Sequence, residues 1–134
     1  MKILIDTNIF LEIILEQEKI SEAKDLLAKN IEHDFFLSDY SLHSIGLLLF
    51  RKNLHEVFWQ FIEDMIVRSG LLMASLDIED MKQVIEASQK FRIDFDDAYQ
   101  YTIAKKYGLT LVSFDEDFNR TDIGRKLPSE IRGS

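Results

Sequence analysis

The sequence contains no cysteine, only one proline, and no long apolar run. Without cysteine, disulfides and thiolate metal sites are excluded, which fits a cytoplasmic protein. No apolar stretch reaches the ~18 uncharged residues that a transmembrane helix needs, so we expect no contact with a membrane. The N-terminal apolar run stops at Asp6, too early for a signal peptide. With 46% hydrophobic residues, residues 1–134 are expected to form a single globular domain.

Positive charge is also scarce, because the chain has 16 lysines and arginines but 24 aspartates and glutamates. The net charge is −8, whereas a protein that binds nucleic acid mainly through charge is basic. Binding to nucleic acid is therefore expected only if divalent cations first neutralise a local acidic cluster. The acids do cluster, in the two short windows 94–97 and 115–117.

Four short apolar runs, near residues 3, 35, 72 and 110, predict buried strands that alternate with helices. Their spacing suits βα units, so we expect an α/β fold with three layers, α/β/α, around a central parallel sheet of four to five strands. The tail after Arg120 is the candidate for an added short edge strand.

Helix boundaries are predicted from capping residues and apolar spacing. Thr7 and Asn8 are candidates to cap a first helix that runs from about Ile9 to Leu15. A second helix is expected over about 21–31, with Ile31 in its apolar stripe. Asp94 is expected to cap a later helix that Gly108 ends.

Acidic residues are predicted to converge at one edge of the sheet. Asp6 ends the first strand, and Asp115 and Asp117 follow the fourth, where open α/β sheets place their ligand crevice. Asp97 shares a helix face with small and apolar residues, so it is expected to point inward. The alternative is that Asp6 only helps to cap a helix, and that Asp94, Asp96 and Asp97 only stabilise a helix N-terminus. For Asp97 the inward helix face favours a place in the site.

Several carboxylates aimed at one place repel each other unless a cation joins them. A ligand set of oxygen atoms, with no cysteine in the chain, selects a hard cation such as Mg²⁺ or Mn²⁺. Such ions can stabilise both the attacking and the leaving oxygens of a phosphodiester. The sequence therefore predicts a magnesium or manganese site at the ends of the strands.

Three segments together resemble a PIN domain: Ile-Asp-Thr-Asn at 5–8, Asp-Asp-Ala at 96–98, and Leu-Val-Ser-Phe-Asp-Glu-Asp-Phe at 111–118. The resemblance covers nearly the whole chain and is greatest to the single-domain toxins of VapBC-type toxin–antitoxin pairs. It implies cleavage of RNA that depends on Mg²⁺ or Mn²⁺, an antitoxin partner, and a homodimer.

By position, the resemblance implies the roles of individual residues. The catalytic and metal-binding acids are Asp6, Asp97 and Asp115, with Asp117 as an auxiliary metal ligand. Asn8 and Ser113 match the polar residues that support the first and last of these acids.

One residue departs from the family pattern. PIN nucleases carry a glutamate on the helix after the second strand, and here Ser44 stands in its place. A hydroxyl is a poor substitute for a carboxylate, so a second metal is expected to bind weakly or not at all. This leaves two hypotheses, an active ribonuclease and a catalytically weakened module that acts by binding RNA or protein.

A third hypothesis, a phosphoacceptor receiver-type domain, fits poorly. Such a domain needs an acid at the end of its third strand and a lysine at the end of its last strand. Here the third strand ends at Ala74 and Ser75, and the fourth ends at Ser113.

Overall fold

A parallel sheet of four strands forms the middle of the domain in the computed structural model, which describes residues 1–132. The strand order is β3-β2-β1-β4, so the N-terminal strand lies inside the sheet, paired with β2 and β4. The strands are β1 (Lys2–Ile5), β2 (Asp34–Ser38), β3 (Leu72–Ala74) and β4 (Thr110–Val112). The predicted three-layer fold with a parallel sheet is confirmed.

The expected edge strand in the tail is present only as one residue. Lys126 forms a parallel bridge with Val112, on the outer side of β4. Its backbone N donates to the carbonyl of Leu111 at 2.8 Å, and its carbonyl accepts from the backbone N of Ser113 at 3.0 Å. The tail thus pairs with the edge of β4 just before the polar residues that follow this strand.

Six α-helices flank the sheet in the described part of the chain, and the fourth continues as a π-helix over Ile62–Arg68. None of the described helices is long and apolar enough to cross a membrane. The α-helices are α1 (Thr7–Ile14), α2 (Ile20–Leu27), α3 (Asp39–Arg51), α4 (His55–Phe61), α5 (Met81–Phe91) and α6 (Phe95–Tyr107).

Two of the predicted helix boundaries were wrong. Helix α1 begins at Thr7, two residues earlier than expected, because the Asp6 side chain caps it by accepting a hydrogen bond from the Thr7 backbone. Helix α2 ends at Leu27, and Ile31 is 94% exposed instead of lying in an apolar stripe. The prediction for α6 is confirmed, with Asp94 as its N-cap and Gly108 in a left-handed conformation at its end.

Strand β1 separates two layers of packing. Ile3 and Ile5 point to the side covered by α1 to α4, where Phe10 and Phe61 pack edge to face. Leu4 points to the opposite side, against α6. All three apolar residues of β1 are fully buried, as expected for an inner strand of a parallel sheet. The strand therefore fixes the position of Asp6, which follows it directly.

Candidate metal centre

Asp6 is held rigidly at the end of β1, with only 7% of its surface exposed. Its Oδ1 atom accepts hydrogen bonds from the Thr7 backbone and from Gln100 Nε2, both at 2.9 Å. Its Oδ2 atom accepts from Ser113 Oγ at 2.7 Å. Burial raises the pKa of Asp6, while the hydrogen bonds from Gln100, Ser113 and Thr7 oppose that rise.

Three further carboxylates form a cluster in which one oxygen from each lies within 4.8 Å of the others: Asp97, Asp115 and Asp117. Asp97 is in the first turn of α6, where its backbone N donates to the cap Asp94. Asp115 accepts a hydrogen bond from the Asp117 backbone at 2.8 Å, which fixes the turn after β4. We refer to these three residues as the acidic cluster.

The acidic cluster carries an unfavourable concentration of negative charge. The pKa of Asp97 is raised to about 7, chiefly by burial and then by repulsion from Asp115, Asp94, Asp6 and Asp117. Asp97 is half-buried, and its pKa is raised strongly nonetheless. The carboxylates are therefore placed where a cation would relieve their repulsion.

Asp6 and the acidic cluster share one open cavity of about 270 Å³. Since a water molecule takes up ~30 Å³ in the liquid, this volume has room for a hydrated cation and a phosphate group. None of the described residues lining the cavity carries positive charge. Asp94 and Asp96, whose alternative interpretation was a role only at the helix N-terminus, also line the cavity.

A larger cleft, of about 450 Å³, lies between α5 and α6. Lys106 on its wall pairs with Asp80 at 2.6 Å, so the charges there compensate each other. The smaller cavity is the one whose charges are uncompensated, and we take it as the functional site for that reason.

The two supporting polar residues predicted from the sequence lie beside Asp6. Asn8 Nδ2 donates to Ser113 Oγ at 3.1 Å, and Asn8 Oδ1 accepts from the Phe114 backbone at 3.3 Å. Ser113 Oγ also accepts from the Asp115 backbone at 2.9 Å. Asn8 and Ser113 therefore connect the end of β1 to the turn after β4, and hold Asp6 next to Asp115.

Ser44 is half-buried on α3 and is not among the residues that line the cavity. Tyr40, one turn earlier on the same helix, lines the cavity instead. The pKa of Tyr40 is raised to about 12, mainly by burial; a hydrogen bond with Ser44 opposes the rise and one with Asp96 adds to it. The Tyr40 phenol therefore stays neutral between Ser44 and Asp96.

Gln100 is a site residue that the sequence interpretation missed. It is 1% exposed, and its Nε2 bridges Asp6 Oδ1 and Ser41 Oγ, both at 2.9 Å. Its Oε1 is buried and has no hydrogen-bond partner among the described residues. The available signal was its spacing, because Gln100 follows Asp97 by three residues and so lies on the same inward face of α6.

The residues present fit a divalent cation. All the charged groups around the cavity are carboxylates, which are the ligands preferred by Mg²⁺ and Mn²⁺. The acidic cluster supplies three of these ligands within 4.8 Å, and Asp6 lines the same cavity. The four acids named from the sequence, Asp6, Asp97, Asp115 and Asp117, therefore lie around one cavity, and their role as ligands stays a prediction.

Comparison with known protein families gives a match to the PIN domain family over residues 3–124. The chain belongs to the PIN domain family. This membership supports a PIN-type nuclease, and the match includes all three segments that carry the resemblance noted above. Among curated proteins, no sequence match is found.

Solved structures share the fold of this PIN domain at low sequence identity. VapC20 of Mycobacterium tuberculosis, described as a sarcin–ricin loop cleaving toxin, is 18% identical with a TM-score of 0.76, over 92% of this chain and 98% of that one. VapBC2 from Rickettsia felis, bound to a promoter DNA fragment, is 18% identical with a TM-score of 0.72, over 93% and 96%. A toxin–antitoxin complex from Klebsiella pneumoniae is 17% identical with a TM-score of 0.69, over 96% and 99%.

Proposed function

We propose that this PIN domain is a ribonuclease that depends on Mg²⁺ or Mn²⁺ and hydrolyses phosphodiester bonds of RNA. The observation that carries the proposal is the acidic cluster, whose carboxylate oxygens lie within 4.8 Å of one another in a cavity without compensating charge. One of the structural relatives is itself described as a cleaving toxin.

In this proposal Asp6, Asp97 and Asp115 hold the cation, with Asp117 as an auxiliary ligand. A bound divalent cation supplies an activated water and stabilises the charge that develops on the phosphate. Gln100, Ser113 and the Thr7 backbone fix the Asp6 carboxylate, so it does not need to reorganise when the cation binds. Asn8 supports this arrangement through Ser113.

The test is RNA cleavage by the purified protein in the presence and absence of cation. We expect cleavage in Mn²⁺ or Mg²⁺, complete loss in excess chelator, and recovery when the cation is returned. The cation is also expected to raise the melting temperature, because it binds the folded state only. Cleavage that persists unchanged in chelator would contradict a metal-dependent mechanism.

A second candidate function is a PIN-fold module that binds RNA or protein with little catalysis. The observation that favours it is Ser44, which leaves α3 without the acid that PIN nucleases carry there. Ser44→Glu distinguishes the two candidates. If the site is degenerate, this change is expected to raise cleavage by at least about tenfold, the size of effect typical of groups that tune a metal site. If wild type cleaves RNA and Ser44→Glu cleaves no faster, other residues complete the site.

We also infer an antitoxin protein as partner and a homodimer as the assembled state. Among the structural relatives, one is described as a toxin–antitoxin complex, and this chain exposes several large apolar residues on α3 and α4. Light scattering is expected to give twice the mass of one chain. A monomer at all accessible concentrations would contradict the homodimer. The exposed residues are Leu47, Phe50, Val57 and Trp59.

A further inference from the structure

Three aromatic rings form a continuous line from the protein surface to the edge of the candidate metal centre. The centroids of Phe95 and Tyr99, one turn apart on α6, are 5.9 Å apart. Those of Tyr99 and Tyr40, across the contact between α6 and α3, are 6.2 Å apart. We refer to Tyr40, Tyr99 and Phe95 as the aromatic strip.

The two ends of the aromatic strip have different surroundings. Tyr40 lines the cavity that contains Asp6 and the acidic cluster. Phe95, at the other end, is 58% exposed. Between them, the hydroxyl of Tyr99 donates to both carboxylate oxygens of Asp39, at 3.0 and 3.1 Å, so its ring is held in place. The strip is thus anchored at the cavity and open to solvent at its outer end.

Packing of α3 against α6 explains part of this arrangement but not all of it. Tyr40 and Tyr99 are half-buried, as expected of residues at a contact between helices. Phe95 is the first residue of α6 and leaves more than half of its surface in water, which costs free energy that a polar residue would avoid. An exposed ring at this place is therefore suited to a contact with something outside the domain.

The charge of the molecule limits what that contact can be. Asp6, Asp94, Asp96 and the acidic cluster surround the cavity, and the whole chain carries a net charge of −8. RNA phosphates gain little from long-range attraction to such a surface. A nuclease with this charge needs a second source of affinity that does not depend on ion pairs. Stacking of bases on aromatic rings is such a source, and it requires bases that are not already stacked in a duplex.

We propose that the aromatic strip binds unpaired bases of single-stranded RNA beside the phosphodiester bond that enters the cavity. The inference rests on the proposed ribonuclease function, to which it adds a base-binding surface beside the metal centre. Phe95 is the outer stacking surface, and Tyr40 lies where the strip meets the acids. Every base has an aromatic face, so the strip contributes affinity with little preference among bases.

The experiment measures binding and cleavage of one fluorescently labelled RNA, offered single-stranded and as a perfect duplex. Binding is measured by anisotropy in Ca²⁺ with the intact length of the RNA checked on a gel, and cleavage is measured in Mn²⁺. Phe95→Ala removes the exposed ring, and Phe95→Tyr keeps it. Tyr107→Ala is the matched control, because Tyr107 is another exposed aromatic residue, 43% exposed, at the opposite end of α6 and outside the cavity lining.

For the single strand, Phe95→Ala is expected to raise Kd and KM by about tenfold, the loss of one base–aromatic stack, with a smaller change in kcat. The ratio of the Kd of Phe95→Ala to the Kd of wild type is expected to stay the same between about 50 and about 200 mM salt, because stacking releases no counterions. Phe95→Tyr is expected to keep most of the affinity, and Tyr107→Ala to bind like wild type. The duplex is expected to bind weakly to all four proteins.

Each outcome bears on a separate inference. If the wild type cleaves RNA and Phe95→Ala matches it in Kd and KM, the aromatic strip is not a binding surface. Equal losses in Phe95→Ala and Tyr107→Ala, or in Phe95→Tyr and Phe95→Ala, would overturn it as well. If no protein cleaves RNA but single-strand binding still depends on Phe95, the ribonuclease proposal fails and the base-binding strip stands. A wild type that neither binds nor cleaves RNA overturns both.

Discussion

Asp6→Asn is expected to reduce metal-dependent RNA cleavage by at least about 100-fold, the scale of losing one preorganised electrostatic group in an active site. The variant is close to isosteric. The asparagine Oδ1 can accept from the Thr7 backbone and from Gln100, as the carboxylate does now. Its Nδ2 replaces the oxygen that accepts from Ser113, whose hydroxyl oxygen already accepts from Asn8 and from the Asp115 backbone, so this one hydrogen bond is lost. We expect the fold to survive with a loss of about 1–3 kcal/mol of stability, while the negative charge is removed.

Glu116→Gln is the matched control for this experiment. It removes one negative charge from the same turn as Asp115 and Asp117, but Glu116 is exposed and is not among the residues lining the cavity. We expect it to cleave at a rate close to wild type. Cleavage in Asp6→Asn equal to that of Glu116→Gln, in proteins with matching circular dichroism spectra, would show that Asp6 is not part of the metal site.

Asp97→Asn is expected to stabilise the cation-free protein at about pH 8, by about 1–2 kcal/mol once solvent screening of this half-exposed group is allowed for. The pKa of Asp97 is about 7 in the folded state against an ordinary value of 3.8. Between those values the folded protein holds a proton that the unfolded chain has lost, so stability falls as pH rises through this window. Above pH 7 the full penalty is present, and asparagine does not carry it.

Denaturant unfolding in chelator at about pH 4 and about pH 8 tests this prediction. The difference between Asp97→Asn and wild type is expected to be small at the lower pH and largest at the higher. Glu86→Gln, which changes an exposed acid on α5, is expected to show no such pH-dependent difference. A destabilised Asp97→Asn at the higher pH would mean that Asp97 makes favourable contacts which outweigh the repulsion from its acidic neighbours.

The two predictions together mean that acids needed for RNA cleavage reduce the stability of the cation-free fold. The acids that are expected to bind the cation weaken the fold when it is absent, as the raised pKa of Asp97 indicates. In Mn²⁺ we expect wild type to be more stable than Asp97→Asn. Wild type gains the full binding free energy of the cation, whereas the variant gains only part of it.

Much of the fold was predictable because its signals are local. The apolar run of β1 is interrupted by an acid, and β4 is followed by two more, so the convergence of Asp6 with Asp115 follows from parallel strand direction alone. The inward direction of Asp97 was predicted from the small and apolar residues on its helix face, and its half-buried position agrees with this.

The residues that were missed depend on contacts between distant parts of the chain. Gln100 matters because it reaches Ser41, which lies 59 residues away, and no local pattern marks that contact. Tyr40 lines the cavity only because α3 packs beside α6. The end of α2 was misjudged for a related reason, since Ile31 has helical spacing but no apolar surface to pack against.

The position of β1 inside the sheet has a consequence for the growing polypeptide during translation. Asp6 leaves the ribosome 107 residues before its hydrogen-bond partner Ser113, and β1 cannot complete its pairing before β4 is made. A sheet closed by so distant a contact forms late in folding. Nascent chains that stop before β4 carry Asp6 and Asp97 but no Asp115, so the acids assemble only after β4 and the turn that follows it have been made.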